Sequence, residues 1–296
     1  MTRLISTIGP AAAGAFLMIL AGALFAADNT LVQYGAMTLG IPPARIAFWQ
    51  YFIAFLFALP WLVSQGAAAM RTGQFGLHVI RVASAAIGVQ LWVAGLAHVP
   101  IWQAIALVML SPFFVTLGAA LLLREAAGAE RWLAVSTGFA GGMIILAPWS
   151  DGFTPYALLP VAAAALWALT SLLTKFLTRR ESPESLTVYL LLLLTPLNAA
   201  LGWEQGLQFM GGAAGLVLVA SGLLTALAQY ALTKAYSVAD AAFLQPFDHI
   251  KLPFNVALGL AVFGFVPPGS MWVGSALIVA ASFYLLRRES RVAAVA

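Results

Sequence analysis

One short segment near the carboxyl end of the chain holds a dense set of groups that could do chemistry. Residues 245–255 contain an amide, an acid, an imidazole and an amine among apolar neighbours: Gln245, Asp248, His249 and Lys251. Asp248 and Lys251 are three positions apart, so on a helix they would share one face and could form a buried ion pair. His249 could change its charge near neutral pH. The set predicts a substrate-binding or ion-coupling site; the alternative is a structural ion pair that locks this helix to its neighbours.

Prolines interrupt the same segment and one earlier apolar segment. Pro246 and Pro253 bracket the charged set, and Pro112 lies in a different apolar run. A proline inside a helix removes a backbone donor and frees the carbonyl four residues earlier. In lipid this is tolerated only where the freed carbonyl faces protein or a water-filled cavity. The three prolines are therefore predicted to be helix-kink or gating positions.

Other polar and aromatic groups lie within apolar runs. The consecutive Asp28 and Asn29 fall roughly 25 Å along a first helix, towards its far end. Asp28 could be a gate or a cation-coupling group, or simply a solvated helix end. A tryptophan ring at mid-depth could stack on an aromatic or cationic substrate, and amides could bind substrate or join helices. The further candidates for substrate binding are Gln90, Trp167, Gln229 and Tyr230.

These groups stand out because the chain is overwhelmingly apolar. Of 296 residues, 62% are hydrophobic and only 8% are charged, and there is no cysteine. A soluble domain carries roughly a quarter charged residues, so the composition excludes a soluble enzyme, a disordered chain and a disulfide scaffold. The sequence has no zinc-protease motif and no glycine-rich phosphate loop. We therefore predict a protein embedded in the lipid bilayer, without a cofactor or a metal.

Ten segments are long and apolar enough to cross a membrane, which takes roughly 20 residues each. They lie near 11–33, 45–64, 76–97, 101–123, 132–148, 154–178, 185–202, 212–234, 240–264 and 269–287. If the N-terminus is cytoplasmic, twelve of the fourteen Lys and Arg face the cytoplasm, Arg45 faces outward and Lys251 lies within a span. Basic residues concentrate on the cytoplasmic side of membrane proteins. This pattern predicts ten helices with both termini cytoplasmic, and it explains the net charge of +4 without a nucleic-acid partner.

The two halves of the chain share short motifs at a nearly constant spacing. Ala23-Leu24-Phe25-Ala26 matches Ala165-Leu166-Trp167-Ala168 at an offset of 142, and Arg131-Trp132-Leu133 matches Met271-Trp272-Val273 at an offset of 140. We predict two repeats, 1–150 and 151–296, of five helices each. Since five is odd, the second repeat is inverted, as in secondary transporters with a substrate site near the bilayer midplane. The alternative is a duplication kept for stability, as in some channels and membrane enzymes.

The order of further motifs points to a family. These motifs are Gly95-Leu96-Ala97-His98-Val99-Pro100, Ser111-Pro112-Phe113-Phe114, Gln245-Pro246-Phe247 and Trp272-Val273-Gly274. Together they resemble the ten-helix EamA-type family of the drug/metabolite transporter (DMT) superfamily. The resemblance implies an all-α, multi-pass protein of the bacterial inner membrane, a monomer or homodimer. It also implies secondary active transport of a small organic metabolite, such as an amino acid, a vitamin or a nucleoside-like compound, by alternating access.

The sequence departs from the family pattern at two places: the acid expected near Gly264-Phe265 is absent, and the second helix differs at Gln50. The second helix of the family often carries an arginine where this chain has Gln50. If that arginine binds a substrate carboxylate in relatives, this chain would prefer a less acidic substrate. Transport could be coupled to protons; the alternative is an uncoupled facilitator or exchanger of the same fold. A membrane-embedded enzyme is less favoured, because the short loops offer no nucleophile and base.

Overall fold

The computed structural model describes residues 10–66, 71–122, 129–177, 181, 183–239, 244, 247 and 249–295. Within these ranges the chain forms helices joined by turns, and no strand occurs among the described residues. Three residues of the predicted site lie outside the described residues: Gln245, Pro246 and Asp248.

The helices follow the predicted apolar segments closely. In chain order they are α1 (Pro10–Met37), α2 (Pro43–Gln65), α3 (Phe75–Leu96), α4 (Ile101–Val108), α5 (Ser111–Leu122), α6 (Ala129–Leu146), α7 (Leu158–Leu177), α8 (Pro183–Gly202), α9 (Gly212–Val238), α10 (Lys251–Phe263) and α11 (Gly269–Val295). Among the described residues, seven stretches are long and apolar enough to cross a membrane, and α6, α10 and α11 supply three shorter apolar stretches. The all-α membrane fold is confirmed, while the count of ten crossings and the cytoplasmic termini stay predictions.

The predicted fourth span is two helices rather than one kinked helix. α4 ends at Val108 and α5 begins at Ser111, after a turn at Met109 and Leu110. Pro112 therefore lies in the first turn of α5, where a missing N–H costs no helical hydrogen bond. The chain direction therefore changes at a short turn just before Pro112, and hydrogen bonds from Met109 to Ile105 and from Phe113 to Leu110 continue on either side of it.

The predicted ninth span shows a similar interruption. His249 and Ile250 form a turn, and α10 begins only at Lys251. Pro253 again lies in the first turn of its helix, with its ring exposed. Two prolines that the sequence predicts to bend helices are thus found just after helix breaks, at positions that suit proline.

The helices pair in a defined pattern. α1 packs most extensively against α9, α3 against α7, and α6 against α11. α2 packs against both α8 and α9, α8 also packs against α3, α10 lies against α1, and α5 lies against α7. The α6–α11 contact is close because a Cβ at Gly141 or at Gly274 would lie 2.6 Å from the carbonyl oxygen of the other. Such glycine contacts are typical of tightly packed membrane helices.

The core and the exterior are both apolar. Residues 104–110 of α4 and the following turn are all buried, which makes α4 the most enclosed helix of the described chain. Large apolar side chains also cover the outside; Phe57 is 61% exposed and Leu216 is 73% exposed. An apolar exterior of this extent is expected where lipid, not water, surrounds the protein.

Candidate functional site

Asp28 lies at the centre of a polar cluster that joins three helices. Its carboxyl group on α1 is 2% exposed. Oδ1 accepts a hydrogen bond of 2.5 Å from Ser221 Oγ, and Oδ2 accepts bonds of 2.7 Å from Gln50 Nε2 and 3.0 Å from Thr225 Oγ1. The Gln50 amide also donates to Thr225 Oγ1 at 2.9 Å. We call Asp28, Gln50, Ser221 and Thr225 the acid cluster.

The local sequence explains this geometry. Ser221 and Thr225 are four residues apart on α9 and therefore project from the same face, and this face packs on α1. Asp28 is nine residues before the end of α1 at Met37, or roughly 13 Å below that end. Of the two alternatives for Asp28, the solvated helix end is therefore wrong, because the carboxyl group is buried among three helices.

Asn29 projects from α1 towards a different helix. Its Nδ2 donates to Oδ1 of Asn255 on α10 at 3.2 Å, and Asn255 Nδ2 donates to the Lys251 carbonyl at 2.7 Å. α10 approaches α1 closely at Gly22, where a Cβ would lie 3.6 Å from the backbone nitrogen of Lys251. Two consecutive residues of α1 thus bind different neighbours: Asp28 binds α2 and α9, and Asn29 binds α10.

Two tryptophans form the aromatic part of the site. The ring centroids of Trp92 on α3 and Trp167 on α7 are 6.0 Å apart. Trp167 Nε1 donates to the Ala85 carbonyl at 3.4 Å, and the indole lies directly against Gly88 on α3, where a Cβ would be 2.6 Å from Nε1. The absence of a side chain at Gly88 is therefore what lets the indole reach the α3 backbone.

One hydrogen-bonded contact between α1 and α3 relates the amides to the indoles. Gln33 Nε2 on α1 donates to the carbonyls of Leu96 at 2.9 Å and Val99 at 2.7 Å, which ties α1 to the end of α3. Asn29 and Trp92 each lie four residues, or about one turn, before these contact points. We call Asn29, Asn255, Trp92 and Trp167 the amide–indole layer.

The remaining predicted site residues are more scattered. Gln90 Nε2 donates to Asn198 Oδ1 on α8 at 2.9 Å, so this amide joins α3 to α8. Gln229 and Tyr230 are exposed on α9; Tyr230 lies on the helix face opposite Ser221, away from the acid cluster. The His249 ring is 5.4 Å from the ring of Phe283 on α11.

A second polar cluster lies near the N-terminal end of α3. Arg81 is 3% exposed and donates from Nη2 to the Leu186 carbonyl at 2.7 Å and from Nη1 to Thr174 Oγ1 at 3.4 Å. The buried His78 stacks on Tyr189 at a centroid distance of 4.3 Å, and its Nε2 lies 3.9 Å from a Glu181 carboxylate oxygen. This cluster joins α3 to α7, α8 and the turn between them.

The sequence showed the residue types of the acid cluster but not which of them meet. Gln50, Gln33 and Asn255 were visible as amides within apolar spans, and the four-residue spacing of Ser221 and Thr225 marked a common helix face. No signal in the sequence indicated that this face meets Asp28, which is 193 positions away from Ser221. Within the described ranges, no group of three or more His, Cys, Asp or Glu could hold a metal ion.

The chain is similar to a family of transporters and to a protein of known structure. The model of the EamA-like transporter family matches residues 12–147. A riboflavin transporter of Rhizobium johnstonii is 54% identical over 95% of this chain and 93% of its own. One from Vibrio cholerae is 49% identical over 94% of each chain. A protein of known crystal structure shares the fold, with a TM-score of 0.61 at 19% identity over 94% of this chain and 98% of its own.

Proposed function

The chain belongs to the EamA-like transporter family of the DMT superfamily, and we propose that its substrate is riboflavin or a closely related uncharged flavin. Membership makes it a secondary transporter of a small metabolite and a multi-pass protein of the bacterial inner membrane, as the sequence predicted. Its relatives are transporters rather than enzymes. The observation that carries the proposed substrate is the identity of 49–54% to riboflavin transporters over almost the whole chain.

The amide–indole layer supports a flavin chemically. Riboflavin has a planar tricyclic ring that is uncharged at neutral pH, with a pyrimidinedione edge that both donates and accepts hydrogen bonds. Indole rings stack on such planar systems, and Trp92 and Trp167 provide two within one layer. The side-chain amides of Asn29 and Asn255 can each donate and accept. The layer contains no charged side chain, which suits an uncharged substrate.

Inverted repeats are proposed for the architecture, with boundaries at 1–150 and 151–296. The helix pairing supports them. Between the two repeats α1 corresponds to α7, α3 to α9 and α5 to α10. Exchanging each helix for its counterpart turns the α1–α9 contact into the α7–α3 contact and the α10–α1 contact into the α5–α7 contact. The two helix breaks, at 109–110 and 249–250, are 140 residues apart, within the range of the motif offsets. The amide–indole layer draws on spans from both halves, where transporters of this design bind substrate.

Lys251, together with Asp248 and His249, is proposed as a secondary part of the site. Lys251 begins α10 directly after the helix break, and its carbonyl accepts from Asn255. We expect Lys251→Ala to impair transport while the protein remains folded in detergent. Replacing Asp248 and Lys251 together by an apolar pair should preserve transport if they form only a structural lock.

The substrate is tested with purified protein by thermal shift. A ligand that binds only the folded protein raises the melting temperature as its concentration exceeds Kd. Riboflavin should stabilise the protein, whereas the cationic adenosylmethionine should not. Trp167→Ala should lose this stabilisation; Trp149→Ala, at a 69% exposed loop position, serves as the matched control. Stabilisation by adenosylmethionine and not by riboflavin would contradict the proposed substrate.

A further inference from the structure

Binding an uncharged flavin does not require a buried carboxyl group, yet Asp28 of the acid cluster supplies one. We propose that the carboxyl group of Asp28 is the proton-binding site that couples flavin movement to a proton gradient. This inference rests on the proposed function, since it assumes a substrate that carries no charge. It assigns the coupling of transport to a proton gradient to one carboxyl group.

The partners of Asp28 suit both protonation states of its carboxyl group. The three donors are two hydroxyls and a carboxamide, and none of them carries a charge. When Asp28 is ionised, all three donate to it. When it is protonated, its new hydroxyl on Oδ1 can donate to Ser221 Oγ, because a hydroxyl accepts as well as donates. The Ser221 proton can then turn to a backbone carbonyl of the preceding helical turn.

Neither protonation state leaves a buried group without a partner, so the proton can bind and leave at low structural cost. A buried acid held by Arg or Lys behaves differently, because loss of its charge would strand the cation in a low-dielectric interior. The Gln50 amide donates one hydrogen bond to Asp28 and another to Thr225. Both bonds can form whether Asp28 is ionised or protonated, so Gln50 can hold the acid cluster in position while the hydroxyls reorient.

Among the described residues, few ionisable groups lie near Asp28. From α2, the ionisable group is the phenol of Tyr51, the residue that follows Gln50. From α9, the facing groups are the non-ionising Ser221 and Thr225. From α10, Lys251 approaches α1 at Gly22, six residues before Asp28. The ionisable groups of α3, His78 and Arg81, lie near its N-terminal end and contact Glu181 and the Leu186 carbonyl instead.

Coupling requires a helix that contributes to both the proton site and the substrate site, and α1 is that helix. Asp28 bonds to α2 and α9, while the next residue, Asn29, belongs to the amide–indole layer through Asn255. Protonation of Asp28 changes the hydrogen bonds that hold α1 against α9. In each cycle the O–H bond of the Asp28 carboxyl group forms as a proton is taken up at one membrane face and breaks as that proton is released at the other, and no other covalent bond changes.

The test separates exchange from gradient-driven transport in proteoliposomes. Tritiated riboflavin is measured in two ways: exchange at equal pH, and accumulation under a pH gradient imposed in either direction. We expect the wild type to do both and Asp28→Asn to exchange riboflavin without accumulating it. Asp151→Asn, a change of an exposed loop acid, is the matched control and should keep both activities.

A second measurement covers the case in which Asp28→Asn fails to fold. An entrapped red-emitting pH dye should report proton movement when a riboflavin gradient is imposed on the wild type, with sodium replaced by choline. Riboflavin exchange without proton movement, or accumulation that requires sodium, would overturn the proton site and leave the substrate standing. Absence of riboflavin exchange in the wild type would instead overturn the substrate, and the coupling with it.

Discussion

Trp167 lies against Gly88 so closely that a methyl group at Gly88 would stand 2.6 Å from the indole nitrogen. The contact joins α3 to α7, the helix pair that supplies both rings of the amide–indole layer. Trp167 also donates to the Ala85 carbonyl on α3. Its ring can take this position only because Gly88 has no side chain. The glycine therefore determines where an aromatic substrate could stack.

Gly88→Ala should weaken riboflavin binding by displacing Trp167. The added methyl cannot coexist with the present indole position, so the ring must rotate or the helices must separate. Loss of one good aromatic contact is worth about 1 kcal/mol, so we expect the Kd for riboflavin to rise roughly fivefold to tenfold. Gly76→Ala is the control, because a Cβ at this position of the same helix meets nothing within 4 Å. Equal affinities for the two variants would remove Trp167 from the site.

The Asn29–Asn255 pair should separate structural from binding roles. Asn255 is fully buried. Asn29→Leu therefore leaves the side-chain oxygen Oδ1 of Asn255 without its donor and should destabilise the protein by about 1–3 kcal/mol. Replacing both by Leu removes the unpaired group and should recover much of that stability. We expect thermal unfolding to recover in the double variant while riboflavin transport does not. Transport that recovers along with stability would mean that the amides only join α1 to α10.

The sequence was sufficient to predict the all-α membrane fold because apolar runs of roughly 20 residues have few other interpretations. It also identified Asp28, Asn29 and Trp167 as polar or aromatic groups within spans. It could not identify their partners, because Ser221, Asn255 and Gly88 belong to distant helices whose facing sides are set by packing. The turns at 109–110 and 249–250 lie just before Pro112 and Pro253, because proline indicates an interruption but is itself tolerated in the first turn of the following helix.

The start of α2 is attached to the connection between α8 and α9, and this contact should control access from that end. Arg45 donates from Nε to the Gly206 carbonyl at 2.8 Å and from Nη2 to the Gln205 carbonyl at 2.9 Å. Trp49 Nε1 donates to the Leu207 carbonyl at 3.0 Å. We expect Arg45→Ala to release this connection and to speed maleimide labelling of a cysteine placed at Leu207.

Two further variants test that expectation. Arg45→Lys keeps the charge but loses the forked geometry that reaches two carbonyls at once, so its labelling rate should fall between those of wild type and Arg45→Ala. Arg71→Ala removes an exposed loop charge and should leave the rate unchanged. If Arg45→Ala labelled no faster than Arg71→Ala, the contact would have no role in access.

Single cysteines should report the topology, because the native chain contains none. Gly73, between α2 and α3, and Gly152, between α6 and α7, both have room for a side chain. With the N-terminus cytoplasmic, an impermeant maleimide added to intact cells should label Gly152→Cys at once and Gly73→Cys only after permeabilisation. The two sites are separated by α3, the broken α4–α5 pair and α6. They lie on opposite faces only if α4 and α5 together make one crossing, so labelling of both from the same face would show that the broken helix pair turns back within the membrane.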